Sequence, residues 1–181
     1  MSTIEGLQRA YEQRLHQPWP TGLSGAEKVW LLIYEPAQER RLRLRLPLFE
    51  EATRAAGHGW LHVDLTDSFA EWMAGLRARD QYFERPDRMA MRLPQYTDAV
   101  AGRIAAALDQ ADANGVVAIS GVGSLFGLAS VSDVLNRVTG QVRGRLAVFF
   151  PGQRDGNNYR LLDAHDGWNY LAVPIEAANG S

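Results

Sequence analysis

The residues that could carry chemistry gather after two apolar runs, Gly115-Val-Val-Ala-Ile-Ser120 and Arg145-Leu-Ala-Val-Phe-Phe150. The first opens into Gly121-Val-Gly-Ser-Leu-Phe-Gly127, which spells G-x-G-x-x-x-G. Glycines placed directly after a strand let the backbone approach a pyrophosphate, so a dinucleotide site is one reading. The spacing is loosened, however, and where the ribose-binding acid is expected, roughly 20 residues on, the chain has Phe149-Phe-Pro-Gly152. A nucleoside triphosphate cradle would need glycines and a lysine after the first strand. That segment reads Glu35-Pro-Ala-Gln-Glu-Arg-Arg41, and the only lysine among 19 basic residues, Lys28, lies at the opposite end of that strand. Ser120 and Gly121 stand where a magnesium-binding acid would. Ser124, in Val122-Gly-Ser-Leu-Phe126, fails the nucleophile elbow G-x-S-x-G at both flanks and reads as a turn or cap residue, as does Ser120. The glycines then read as shape, a tight positive-φ turn over the sheet edge.

Other clusters are weaker. His62 and Asp64 share a strand face and Asp163, His165 and Asp166 share a turn, but no H-x-x-x-H or H-E-x-x-H spacing exists, and there is no cysteine, so no metal and no cofactor is expected. Arg40, Arg41, Arg43 and Arg45 match phosphate oxygens in chemistry. On a helix they spread around the circumference, with Glu39, Glu50 and Glu51 nearby, which favours a solvated face or a protein contact. In Asp166-Gly-Trp-Asn-Tyr170 the turn places Trp168 and Tyr170 either as partner anchors or in the core.

The elements that must position these residues follow from hydrophobic periodicity. Ile4, Leu7, Tyr11 and Leu15 form one stripe of a helix over 3–17, ended by Pro18 and Pro20. Lys28–Tyr34 is a continuous apolar run, predicting a central strand covered on both faces. Residues 35–56 are ambiguous: Arg41–Leu46 alternates as a strand would, whereas Leu42, Leu46, Phe49, Thr53 and Ala56 make a helical stripe. A helix distorted near Pro47 is the expectation. Trp60–Leu65 predicts a strand. Thr66 or Asp67 caps a helix carrying Phe69, Trp72, Met73 and Leu76, residues 77–94 read as loop or broken helix, and 95–113 as a helix with Val100, Ile104 and Leu108 inward. After Val116–Ser120, a helix capped by Ser130 or Ser132 leads to a strand over Arg145–Phe150. Polar Gln153–Asn158 follow as a loop, then two short runs, Tyr159–Leu162 and Asn169–Ile175, forming a hairpin or separate edge strands. A single domain is expected, with an N-terminal helix over 1–17, a core over 28–175 and a frayed tail over 176–181. Its fold class is α/β: a three-layer sandwich around a mostly parallel sheet, resembling a P-loop-NTPase-like core that lacks the P-loop.

Composition bounds the function. The 181-residue chain is 46% hydrophobic and 22% charged with a formal net charge of -2, against a general nucleic-acid or membrane-surface binder. No apolar run spans a bilayer, and Glu5, Arg9 and Glu12 stand where a signal peptide would be apolar, so a soluble intracellular protein is expected.

Three motifs together, Ile33-Tyr-Glu-Pro36, the Gly121-Val-Gly123 turn, and Phe149-Phe-Pro-Gly152 with Tyr159-Arg-Leu161, resemble the BrxB family of bacterial phage-exclusion (BREX) systems over Lys28 to Pro174. The resemblance implies a cytoplasmic antiviral-defence component encoded beside a PglZ-type phosphatase-fold protein, a large ATPase and a DNA methyltransferase. It supplies no catalytic residues and implies an accessory or assembly subunit, with PglZ the first partner to test. The expectation is therefore a non-enzymatic adaptor whose partner surface draws on Glu35, Pro36, Arg40, Arg41, Gly121, Gly123, Pro151, Gly152, Trp168 and Tyr170. The alternatives are a nucleotide-binding or phosphoryl-transfer protein using Gly121–Gly127 and Gln153–Asn158, and nucleic-acid binding through the arginines.

Overall fold

Every residue of β1 (Val29–Tyr34) is buried, because parallel strands flank it on both edges and helices cover both faces. A computed structural model of the chain describes residues 3–76, 84–164 and 167–178. In chain order the elements are α1 (Ile4–His16), β1, α2 (Glu39–Ala55), β2 (Gly59–Asp64), α3 (Ser68–Ala74), α4 (Pro86–Ala90), α5 (Leu93–Gln110), β3 (Gly115–Ser120), α6 (Val131–Val138), β4 (Arg145–Asp155), β5 (Asn158–Leu161), β6 (Trp168–Asn169) and β7 (Val173–Glu176). The main sheet runs β2-β3-β4-β1-β7, all parallel, and β5 and β6 extend an antiparallel ribbon from the end of β4.

Strand alternation sends Val29, Leu31 and Ile33 to one face, where α5 and α6 supply Val100, Ile104, Leu108, Val131, Val134, Leu135 and Val138. Trp30, Leu32 and Tyr34 face the other side, against Ile4, Leu7, Tyr11 and Leu15 of α1 and Leu42 and Phe49 of α2. The expected stripes and the mostly parallel three-layer α/β architecture are thus present. Thr3 caps α1 by accepting from Gly6 N, and Ser130 caps α6 by accepting from Asp133 N. Thr53 Oγ1 donates to Phe49 O, leaving the Tyr11 hydroxyl to donate to Thr53 across 2.6 Å and pin α1 to α2. The helix α2 runs unbroken through Pro47, which lies on its exposed side, where the carbonyl it frees can turn to water.

Several sequence expectations need correction. Asp67 stands at the N-cap of α3 but its side chain makes no capping hydrogen bond, and Thr66 is instead held by Asp64 Oδ1, which takes its N–H (2.9 Å) and its hydroxyl (2.6 Å). Leu76 falls beyond the helix. The reading of residues 77–83 lies outside the described residues, and α5 begins at Leu93 with Pro94 in its first turn, where a missing N–H costs nothing. Strand β4 does not stop at Phe150. Pairing with β3 ends at Val148 and pairing with β5 begins only at Gly152, so Pro151 falls at the changeover between the two neighbours, where a missing N–H is tolerated. The segment 153–158 is not a loop: Gln153–Asp155 pair with Asn158–Arg160 around a two-residue Gly156-Asn157 turn with Gly156 at φ +59. Of the last two runs, the first is β5 and the second divides between β6, in the ribbon, and β7, in the main sheet. The tail expected to fray from Glu176 instead places Glu176 in β7 and buries Ala177 against Gly6, because α1 covers that edge.

Candidate functional site

Parallel strands deliver the loops after β1, β3 and β4 to one edge of the sheet, and there Pro36, Gly121, Gly123 and Pro151 come together. They line a pocket of about 230 Å³ with Glu39, Arg43, Ser124 and Leu162. Glu35 and Gly152 line an adjoining pocket of about 350 Å³. Its wall includes Arg154, whose Nε and guanidinium N–H donate to the two Glu176 oxygens at 3.0 and 2.9 Å. Gly152 is required by the fold, since a Cβ there would collide with Arg160 O across the β4–β5 ladder.

The other candidates lie elsewhere. Arg41 ion-pairs with Glu5 of α1, as does Arg45, which also donates to Gln8 at 3.1 Å. Part of the arginine run is therefore an interhelical clamp, while Arg40 is exposed and makes no ion pair among the described residues. Trp168 and Tyr170 are not an exposed tip. Trp168 packs among Phe150, Tyr159 and Tyr170 at 5.3–5.9 Å between ring centroids, and the Tyr170 hydroxyl bonds Thr139 Oγ1 at 2.7 Å. Of the sequence's two alternatives for this pair, core packing is the one the structure adopts.

Beside the pocket runs a chain of polar contacts. The buried Tyr34 hydroxyl donates to Glu39, Arg43 Nε donates to the other Glu39 oxygen at 3.1 Å, and Arg43 also donates to Thr66 Oγ1 at 3.1 Å. Thr66 donates in turn to Asp64. Burial, then the bonded and charged Glu39, drive the Tyr34 phenol far above its usual range. Burial pushes the Asp64 carboxyl up, but the two Thr66 donors and the charges of His62 and Arg43 outweigh it and hold Asp64 below the ordinary carboxylate range. His62 shares a 2.7 Å hydrogen bond with Ser120 Oγ, and burial lowers its pKa despite the opposing pull of Asp64 and Glu50.

The glycine loop serves this packing. Gly121 sits at φ +75, and a Cβ there would fall 2.5 Å from Thr66 N and 2.8 Å from Asp64 Oδ1. The loop after β3 thus lies directly on the loop after β2. Ser124 Oγ lies 2.7 Å from both Leu65 O and Gly121 O, the turn role expected of it. Sequence reasoning missed Tyr34, Glu39 and Thr66, whose pairing spans a 3-10 turn at Pro36–Gln38 and two loops, with no fixed spacing to read.

Among the described residues no group of three or more His, Cys, Asp or Glu is arranged to hold a metal ion, and no helix is long and apolar enough to cross a membrane. His165 and Asp166, of the second cluster weighed for metal, lie outside the described residues. The profile of a family described as "BREX protein BrxB" matches residues 68–175, more than half of the chain. The matched stretch holds the Gly121 turn and Phe149–Gly152, whereas Ile33–Pro36 lies before it. No curated protein and no solved structure matches the chain.

Proposed function

The chain belongs to the BREX protein BrxB family, a component of BREX systems, and on that premise we propose that it is a non-catalytic, cytoplasmic accessory subunit that binds partner proteins of the defence complex, with a PglZ-like protein as the first partner. The observation that carries this reading is the carboxyl edge of the sheet. In an α/β sheet this edge is where ligands bind, yet here its ionisable groups, Tyr34, Glu39, Arg43, Asp64 and His62, are engaged with one another or with neighbouring hydroxyls. What faces outward is shape: a small pocket walled by Pro36, Gly123, Pro151 and Leu162, suited to an inserted apolar side chain, with exposed Glu35 and Arg40 beside it.

Co-expression with the PglZ-like protein of the same operon tests the proposal. The two co-purify, and Gly123→Arg, which fills the pocket from a position where a Cβ meets only ordinary contacts, abolishes co-purification without lowering the melting temperature. A chain that stays monodisperse alone, or a variant that still co-purifies, overturns the reading. Micromolar binding of ATP, GTP or NAD by calorimetry would instead support a nucleotide site in the same pocket.

A further inference from the structure

The opposite, amino-terminal edge of the sheet carries a cation that the fold does not neutralise. Arg145 opens β4 and its residue is only 5% exposed. Among the described residues its side chain makes one hydrogen bond, from a terminal guanidinium nitrogen to Gly144 O at 2.9 Å, and no described carboxylate pairs with it. A guanidinium has five N–H donors, and a buried charge left without a partner is strongly destabilising. Burial accordingly pulls the Arg145 pKa down. Such an arrangement is costly for an arginine with a purely structural task, and replacement by an apolar side chain of similar volume would relieve it.

The surroundings show what would complete it. The guanidinium carbon lies over the Trp19 ring, 4.7 Å from its centroid. Trp19 is held in place by His58, stacked at 3.7 Å and 5°, and by Trp30, edge-on at 5.8 Å. The Trp19 indole N–H is itself buried without an acceptor among the described residues. Arg14, Trp19, Leu23, Glu27, Trp30 and Arg145 line a cavity of about 500 Å³, a volume typical of small-molecule sites. Two arginines against one glutamate leave a single net positive charge in the lining. A monoanion balances that charge, whereas a doubly charged phosphate would meet Glu27. The aromatic and aliphatic walls call for an apolar body behind the charge.

We propose that this cavity binds a monocarboxylate carried on an aromatic or aliphatic body, with Arg145 as its buried counter-ion and Trp19 and Trp30 as its apolar walls. The carboxylate is supplied either by a free small acid or by the C-terminus of a peptide, and the site is independent of the carboxyl-edge surface. The test uses the full chain labelled with ¹⁵N, following the Trp indole and Arg145 Nε–H signals during titration with phenylacetate, phenylacetamide and N-acetyl-Gly-Phe. Phenylacetate shifts the Trp19 and Arg145 signals and binds at least roughly tenfold tighter than the amide, the value of a charge-assisted pairing. Arg145→Met erases that preference with no fall in melting temperature. Tighter binding of the peptide acid assigns the carboxylate to a protein terminus, and tighter binding of phenylacetate to a small acid. Equal binding of acid and amide, no shift with either carboxylate, or a methionine variant that keeps the preference overturns the proposal. The comparison of acid with amide needs no variant, so it decides the matter even if the substitution unfolds the chain.

Discussion

Replacing the three glycines of Gly121-Val-Gly-Ser-Leu-Phe-Gly127 by alanine, one at a time, separates shape from ligand approach. Gly127 has φ +74 and open space where a methyl would be added, so its substitution meets only the left-handed penalty of about 1–2 kcal/mol. Gly121 has φ +75 and adds a collision with Thr66 N at 2.5 Å, Thr66 Oγ1 at 2.6 Å and Asp64 Oδ1 at 2.8 Å. Two of those atoms belong to side chains bonded to each other, and the third is backbone, so the loop after β2 must move. Overpacking of that kind costs about 1–3 kcal/mol, which with the left-handed penalty makes about 2–5 kcal/mol. At Gly123 the new methyl would sit 3.6 Å from Pro151 Cγ and 3.7 Å from Leu162 Cδ2, ordinary contact with no positive φ, within about 0.5 kcal/mol of neutral. For a chain of this size each kcal/mol moves the melting temperature by about 2–4 °C. Melting followed by circular dichroism therefore falls by about 4–20 °C for Gly121→Ala, about 2–8 °C for Gly127→Ala and about 2 °C or less for Gly123→Ala. A Gly123 variant as damaged as the Gly121 variant, or a Gly121 variant no worse than that at Gly127, would refute the assignment of the loop to packing.

Two further expectations concern pH. Tyr11 and Tyr34 both have phenols raised by burial. A folded pKa above the unfolded value of about 10 means that the native state keeps protons the unfolded state releases, so stability is intact below pH 10 and declines above it by about 1.4 kcal/mol per unit for each such group. Urea midpoints between pH 9 and 11.5 should show the decline, Tyr11→Phe should reduce its slope by about half because Tyr34 remains, and a flat wild-type profile counts against the buried phenols. For His62 the sign is opposite: its lowered pKa makes a contribution present above the unfolded value and lost as pH falls. By NMR its imidazole titrates below the ordinary range, and Asp64→Asn moves the midpoint further down because Asp64 opposes the shift. An upward movement on that substitution would contradict the geometry.

Periodicity made the layers legible because burial follows it directly. For α2 the alternating Arg41–Leu46 text competed with the helical stripe, and Leu44 settles the contest: a strand would bury it with Leu42 and Leu46, whereas here it is 74% exposed and Leu42 is fully buried. Pairing was legible only where a turn announced it. Asp155-Gly-Asn-Asn158 is a two-residue hairpin signal that the apparent stop at Pro151-Gly152 masked, since a proline reads as a strand end unless one knows that β3 has already left its side. With the ribbon unrecognised, Phe150, Tyr159, Trp168 and Tyr170 had no reason to meet, and the last two were assigned equally to a surface and to the core.

The two edges of the sheet then differ in a way that composition alone conceals. At the carboxyl edge Glu39, Arg43 and Asp64 are bonded to neighbouring side chains, so these charges are spent on holding three loops together, and only exposed Glu35 and Arg40 beside the pocket are left to solvent. At the amino edge Arg145 looks like the polar start of an apolar strand, and Trp19 lies in a proline-bounded stretch without periodicity. Folding places one over the other and leaves the guanidinium short of an anion. Burying an unpaired charge opposes stability, whereas the Tyr34–Asp64 chain supports it, so recognition by charge belongs at the edge where the fold leaves its electrostatics incomplete.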